Sequence, residues 1–384
     1  MAMGLRSRVH PQRLGARFQP AVHCPNARRA RRLHLRDHPL KRKTLILGAA
    51  LAALGSSTTA FACATCGCSL SADAAMGYSS STGWSASLQY DYLDQDQLRT
   101  GTRAVSQAQV AGLNNLGGSQ EVENGTLNRY VTLGIGYAPS ADWNLKLLVP
   151  YVDRSHSTYG DSPNPLTPDL LSSSDMSSLG DARFIASYQG FLDTHNLGVQ
   201  LGIKLPTGDY GGPSADGLGV VGRNPKAFSS GPQAGSLVDT SLQPGTGSTD
   251  LIVGAYYYQP VSQNFDAFVN GQFQAAVAHR LDQTGEDFRP GNLATVSFGA
   301  RYEANPDLVP QLQVNITRKS HDQGALADST DSAGTVVYLS PGVTVNAGHD
   351  THVYAFLQLP VYSNLQGYQL FPRWTASVGV MHAF

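Results

Sequence analysis

The segment Gln311-Leu312-Gln313-Val314-Asn315-Ile316-Thr317 alternates polar and apolar residues without a break. Side chains on a β-strand point to opposite faces with period two, so this stretch has one wet face and one dry face. The pattern recurs about twelve times along the chain. The clearest occurrences are 84–93, 127–137, 143–151, 179–191, 196–205 and 250–258. It continues at 265–277, 293–303, 310–318, 334–345, 351–361 and 373–384. Most runs are about ten residues long, and a tilted strand needs ~9–11 to cross a bilayer.

The connections separate a lipid-facing sheet from a protein-covered one. Short turns are expected at 138–142, 192–195, 259–264, 304–309 and 346–350. They alternate with longer connections, the largest at 94–126, 152–178 and 206–249, several of them rich in Gly, Ser, Asp and Pro. Loops beyond ~12–15 residues are unusual in compact soluble domains. In outer-membrane barrels, short periplasmic turns and long outer loops are the rule. Lipid offers no hydrogen bonds to an open sheet edge, so such a ladder must close. The expected fold is therefore all-β: one antiparallel up-and-down transmembrane β-barrel of about 12 strands over 84–384, with both termini in the periplasm. The alternative is a soluble β-sandwich, which does not account for the alternation of loops and turns.

The assignment of faces follows. Val131, Leu133, Ile135 and Tyr137 share one side of the second strand, and Val296, Phe298, Ala300 and Tyr302 one side of the eighth. These sides are expected to meet lipid. The lumen sides then carry Asp91, Lys146, Arg183, Lys204, Asp266, Arg301 and Arg373 among many Gln, Asn, Ser and Thr. Basic groups outnumber acidic ones in this set, a hint of weak anion preference. The competing expectation, which we favour, is that these charges pair with one another and simply hydrate the lumen. About eight strands are filled by their own side chains and ~16–18 leave an aqueous channel, so twelve imply a narrow bore suited to a small solute.

The N-terminal region reads as an export signal. Lys41, Arg42 and Lys43 precede the apolar stretch 44–54, and Ala60-Phe61-Ala62 is a small-x-small cleavage site. Residues 1–40 are Arg-rich, consistent with a translation start near Leu40 or with a long leader. Twelve of the 27 basic residues and one of the 28 acidic ones lie in 1–62, so the remainder has 15 basic and 27 acidic groups, a net charge of −12. An acidic exported chain argues against nucleic-acid binding, which depends on Lys and Arg at phosphates. Phe384, with Val380, Val378, Ala376 and Trp374 on its face, resembles the terminal signal read by the barrel assembly machinery. His382 departs from that pattern. The other partners expected of such a chain are outer-membrane lipid, lipopolysaccharide and a small-molecule solute.

Cys63, Cys66 and Cys68 cluster just after the cleavage site, in a segment 63–83 expected below or inside the barrel. Close thiolates suit a soft metal, Cu or Zn. In an oxidising periplasm they also suit a disulfide with one thiol spare. Lipid attachment at Cys63 is a third reading. The metal and redox readings allow a periplasmic redox or metal-handling protein as partner. No enzyme is expected: His156, His195, His279, His321 and His349 are scattered, and none stands in a nucleophile motif.

Two linked motifs carry a resemblance. The run 178–183, Ser-Leu-Gly-Asp-Ala-Arg, is followed by 201–208, Leu-Gly-Ile-Lys-Leu-Pro-Thr-Gly. Together they resemble the outer-membrane family named for the meta-pathway of phenol degradation, most closely over 127–208. The resemblance implies a transporter-like barrel and, loosely, uptake of aromatic or hydrophobic compounds. That family is in turn similar to fatty-acid and aromatic-hydrocarbon channels with an N-terminal plug, and 63–83 is shorter than such a plug. Pro206 and Gly208 suit a strand end that opens a long loop.

Overall fold

The computed structural model describes residues 82–348 and 350–384. Twelve strands form the barrel wall: β1 Gly83–Gln95, β4 Glu123–Ser140, β5 Trp143–Thr158, β7 Ala182–Tyr188, β8 Leu197–Leu205 and β11 Ser248–Pro260, then β12 Phe265–His279, β13 Leu293–Tyr302, β14 Leu308–Lys319, β15 Gly334–Asn346, β16 Thr351–Phe371 and β17 Thr375–Ala383. Every wall strand is antiparallel to its neighbours, and the β1–β17 pairing closes the circle, with Leu88 opposite Val380 and Tyr90 opposite Val378. Five smaller strands lie at the loop end: β2 Gln97–Gly101, β3 Arg103–Ala104, β6 Ser172–Leu179, β9 Tyr210–Pro213 and β10 Val220–Arg223. One helix, α1 Gln107–Asn114, is capped by Ser106 and Gln109 in a capping box.

The strands face as their alternation requires. On β14, Gln311, Gln313, Asn315 and Thr317 are buried inside the barrel, while Leu312 is 50% exposed. Leu201 on β8 is 60% exposed and Val277 on β12 is 63% exposed. Apolar residues on an outward barrel face are solvated by lipid. Aromatic pairs bound this belt. Trp84–Tyr137, Trp143–Tyr188 and Phe265–Tyr302 pack in tilted pairs at the turn end with centroids 4.7, 4.9 and 4.8 Å apart, and Tyr92–Trp374 stacks at the loop end at 5.4 Å. From Trp84 to Tyr92 is about 26 Å along the strand, or about 20 Å once tilted by ~40°, on the scale of an apolar belt ~25 Å tall. The ion pair Arg129–Asp153, 2.8 Å long, lies just beyond the belt.

Two expected elements differ. The run 179–191 is not one strand, because β6 pairs with the upper part of β5 and β7 with the lower part. The break at Gly180–Asp181 faces Pro150, which has no N–H to donate and instead accepts from the Gly180 N–H at 2.8 Å. The strand expected to stop at Val361 runs on to Phe371. Its extension pairs with β15 up to Leu365 opposite Gly334, and with β2 beyond that. The β16–β17 ladder ends at Gln358 opposite Thr375, so the connection expected to be long is present but built into the loop-end sheet, where β15 and β2 supply the hydrogen bonds that a free loop would lack.

The loop end is structured. Val110 and Ala111 of α1 pack with Leu98, Val122 and Leu370. The connection between β8 and β11 folds over the barrel mouth, where Val238, Leu242 and Phe228 pack against Met176 of β6.

Candidate functional site

The barrel interior is built differently in its two halves. Toward the turn end, large aromatics lie where a neighbouring strand has glycine. A Cβ on Gly198 would stand 2.2 Å from Cζ of Tyr256, and one on Gly342 would stand 2.1 Å from Cδ1 of Phe356. These rings fill the space that the glycines leave, and hydroxyls tie two tyrosine rings of this half in place. Tyr256 donates to Gln189 Oε1 at 2.7 Å, and Tyr354 donates to Gln89 Oε1 at 2.5 Å.

Toward the loop end lies a layer of charge. Lys204, 3% exposed, sits between Asp181 at 3.3 Å and Asp250 at 3.0 Å. It also donates to Ser248 Oγ at 3.0 Å. Lys319 meets Asp322 at 2.6 Å. Arg154 donates to Asn128 Oδ1, to the Tyr130 hydroxyl and to the Leu242 carbonyl of the overlying loop. These groups surround a cavity of about 210 Å³. Its other walls are apolar, from Leu148, Pro150, Val152, Phe288, Pro290 and Leu293, and its roof is 241–246 of the loop over the mouth.

The two linked sequence motifs form one physical unit here. Asp181 accepts from the Gly208 N–H at 3.1 Å and the Thr246 N–H at 3.0 Å while it meets Lys204. Thr207 Oγ1 accepts from the Ala182 N–H at 2.7 Å and donates to the Gly180 carbonyl at 2.8 Å. A Cβ on Gly208 would stand 2.8 Å from Gly245 Cα, so only glycine lets the loop cross there. Gly-Asp and Lys-x-Pro-Thr-Gly therefore bind each other and root the mouth loop.

The seven residues expected on the lumen face separate. Asp91, Arg183 and Lys204 line the cavity. Asp91 accepts from Gln89 Nε2 at 2.9 Å and from Ser377 Oγ at 2.5 Å. Asp266 and Arg301 are cross-strand partners near the turn end, where Arg301 also meets Glu303 at 3.1 Å. Lys146 is half-buried on the turn side of the cavity. Arg373 is not in the lumen. It stands in the turn after β16 with its side chain 62% exposed and pairs with Asp96 at 3.1 Å. Its place between β16 and β17, at the rim, takes it off the inward face. Arg154, Asp181, Asp250, Lys319 and Asp322 join the site without having been singled out for it. Their signal was inward parity or the Gly-Asp motif, which had read as architecture. Cys63, Cys66 and Cys68, the Cu or Zn reading, the signal segment and His349 lie outside the described residues.

A second, smaller recess of about 30 Å³ at the mouth gathers Glu121, Glu123, Asp239, Asp328 and Asp331. Ser241 borders both cavities. Burial, with Asp239 and Asp328 close by, pushes the Glu121 carboxyl up to about 8. Burial and Asp328 raise Asp331 to about 6. Asp239, which borders this recess, is exposed.

A closed 12-strand antiparallel barrel with a polar interior and an apolar belt defines an outer-membrane β-barrel. Among solved structures, the chain is similar to the COG4313 outer membrane channel from Pseudomonas putida F1, with TM-score 0.54 and 12% identity over 79% of this chain and 96% of that one. It also matches the translocator domain of autotransporter NalP from Neisseria meningitidis (TM-score 0.44, 9% identity, 90% of this chain and 97% of that one) and the beta domain of the Bordetella autotransporter BrkA (0.43, 12%, 79% and 100%). At 12% identity the likeness to the COG4313 channel is one of fold. No family model and no curated protein matches the chain.

Proposed function

We propose that the protein is an outer-membrane channel through which small solutes, aromatic or hydrophobic in body, diffuse passively. The turn end and both termini face the periplasm, and the long loops face outward. The observation that carries this reading is the cavity of about 210 Å³ inside the barrel, roofed by the mouth loop. An apolar cavity of ~150 Å³ is enough to hold benzene, so this one has the size for a single ring with a substituent. Six apolar residues, contributed by β5 and by the approach to β13, alternate around the lining with paired charges, and offer a path for an amphipathic body without requiring a catalytic group. The kinship with the phenol-degradation family suggested by 178–183 and 201–208 agrees with this, because the motif roots the cavity's roof.

The test is planar-bilayer conductance of the refolded protein, with solute entry into loaded liposomes measured in parallel. Small discrete openings and entry of one-ring solutes are expected. A barrel that stays electrically silent and excludes all such solutes would overturn the reading.

A further inference from the structure

Four cationic side chains line the cavity among the described residues, and three of them are already engaged. Lys204 is held by two carboxylates, Lys319 by one, and Arg154 by oxygen acceptors on Asn128, Tyr130 and Leu242. Arg183 has neither an ion pair nor a hydrogen bond from its side chain within the described structure. It stands directly across the β7–β8 ladder from Lys204. Two cations side by side repel, but the Lys204 charge is drawn toward Asp181 and Asp250, which leaves the guanidinium to face the cavity.

We propose that Arg183 anchors the carboxylate of a solute about one ring in size, whose apolar body lies against Leu148, Pro150, Phe288 and Pro290. This deepens, and rests on, the reading of the cavity as the solute path. The Arg183 guanidinium, half-buried and still reached by solvent, has a planar fork that matches a carboxylate in bidentate fashion. A plain hydrocarbon would fill the apolar wall and leave Arg183 unanswered. Inorganic phosphate would answer Arg183 and leave the apolar wall wet. An apolar carboxylate satisfies both walls at once. The acidic recess at the mouth opposes an anion less than its five carboxyls suggest, because Glu121 is held largely protonated at neutral pH.

The experiment is equilibrium binding of benzoate to the purified protein in detergent, with benzylamine and inorganic phosphate as comparison probes. Arg183→Gln and Arg183→Lys are measured beside the parent protein, each confirmed as a folded barrel by its heat-modifiable mobility. Benzoate is expected to bind at least about tenfold more tightly than either comparison probe, over benzylamine because only an anion pairs with Arg183 and over phosphate because only the ring covers the apolar lining. Arg183→Gln loses that advantage and Arg183→Lys keeps part of it. Equal benzoate binding by folded Arg183→Gln, no benzoate binding by the parent, or equal binding of benzylamine overturns the proposal. A silent bilayer with benzoate still bound through Arg183 supports the site and removes the channel reading. A conducting barrel that ignores benzoate does the reverse.

Discussion

The ring of Tyr256 occupies the space that any side chain at Gly198 would need, with Cζ 2.2 Å from the position of a Cβ there. The two residues are cross-strand partners on β11 and β8. The contact therefore couples the place of the Tyr256 ring in the lumen to a backbone position in the wall. Gly198→Val is expected to push Tyr256 off Gln189 and to destabilise the barrel by about 1–3 kcal/mol, the usual range for overpacking. Urea unfolding in lipid vesicles, followed by gel mobility, measures it. An unchanged midpoint would show that the ring moves freely.

Lys204 neutralises two carboxylates at once, so its removal leaves Asp181 and Asp250 buried together without a cation. Lys204→Met should cost about 3–5 kcal/mol, the range seen when one partner of a buried ion pair is lost. Adding Asp250→Asn should restore part of the loss. If the double variant is less stable than Lys204→Met alone, like-charge repulsion is not the cause.

The acidic recess makes the mouth pH-sensitive. The folded-state carboxyls of Glu121 and Asp331 are raised to about 8 and about 6 from ordinary values of 4.5 and 3.8. The folded loops thus hold protons that opened loops release. The stabilisation is complete below the ordinary values and disappears as pH rises through about 6 and then about 8. Amide exchange in 236–246 and 324–333 should accelerate from pH 5 to pH 9 beyond its intrinsic pH dependence. Glu121→Gln, which cannot ionise, should flatten the upper part of that rise.

Leu201 tests the belt. At 60% exposure near the middle of β8 it points away from the lumen. Leu201→Arg should destabilise the barrel by about 2–4 kcal/mol in bilayers, and Leu201→Phe by little. Equal stability of the parent and the arginine variant in vesicles would mean that this face does not meet the hydrocarbon core.

Much of the wall was legible in the residues. Alternation at Gln311–Thr317, Val131–Tyr137 and Val296–Tyr302 assigned each side chain to the correct face, because period two leaves a strand with one dry side no second register. The short turns at 138–142 and 346–350 were legible for the same reason, as polar gaps between such runs. The break opposite Pro150 was not. A missing N–H disturbs the partner strand rather than its own, and pairing partners are not written in either segment. The extension of β16 was also hidden, since 362–371 lacks strong alternation and is held by β2 and β15. Arg373 shares the parity of Thr375, and only the turn carries it to the rim.

The sequence by itself determined the class of fold. A dozen two-faced strands of about ten residues can satisfy their backbone in lipid only by closing on themselves. The tertiary structure decided where the chemistry lies. Lys204 and Asp250 come from two strands, Asp181 from the break between β6 and β7, and the roof at 241–246 from a loop of little pattern. Which charges meet, and which one is left facing the cavity as Arg183 is, depends on cross-strand register and on where a loop folds back. Both are set by long-range hydrogen bonds and packing that local alternation does not encode.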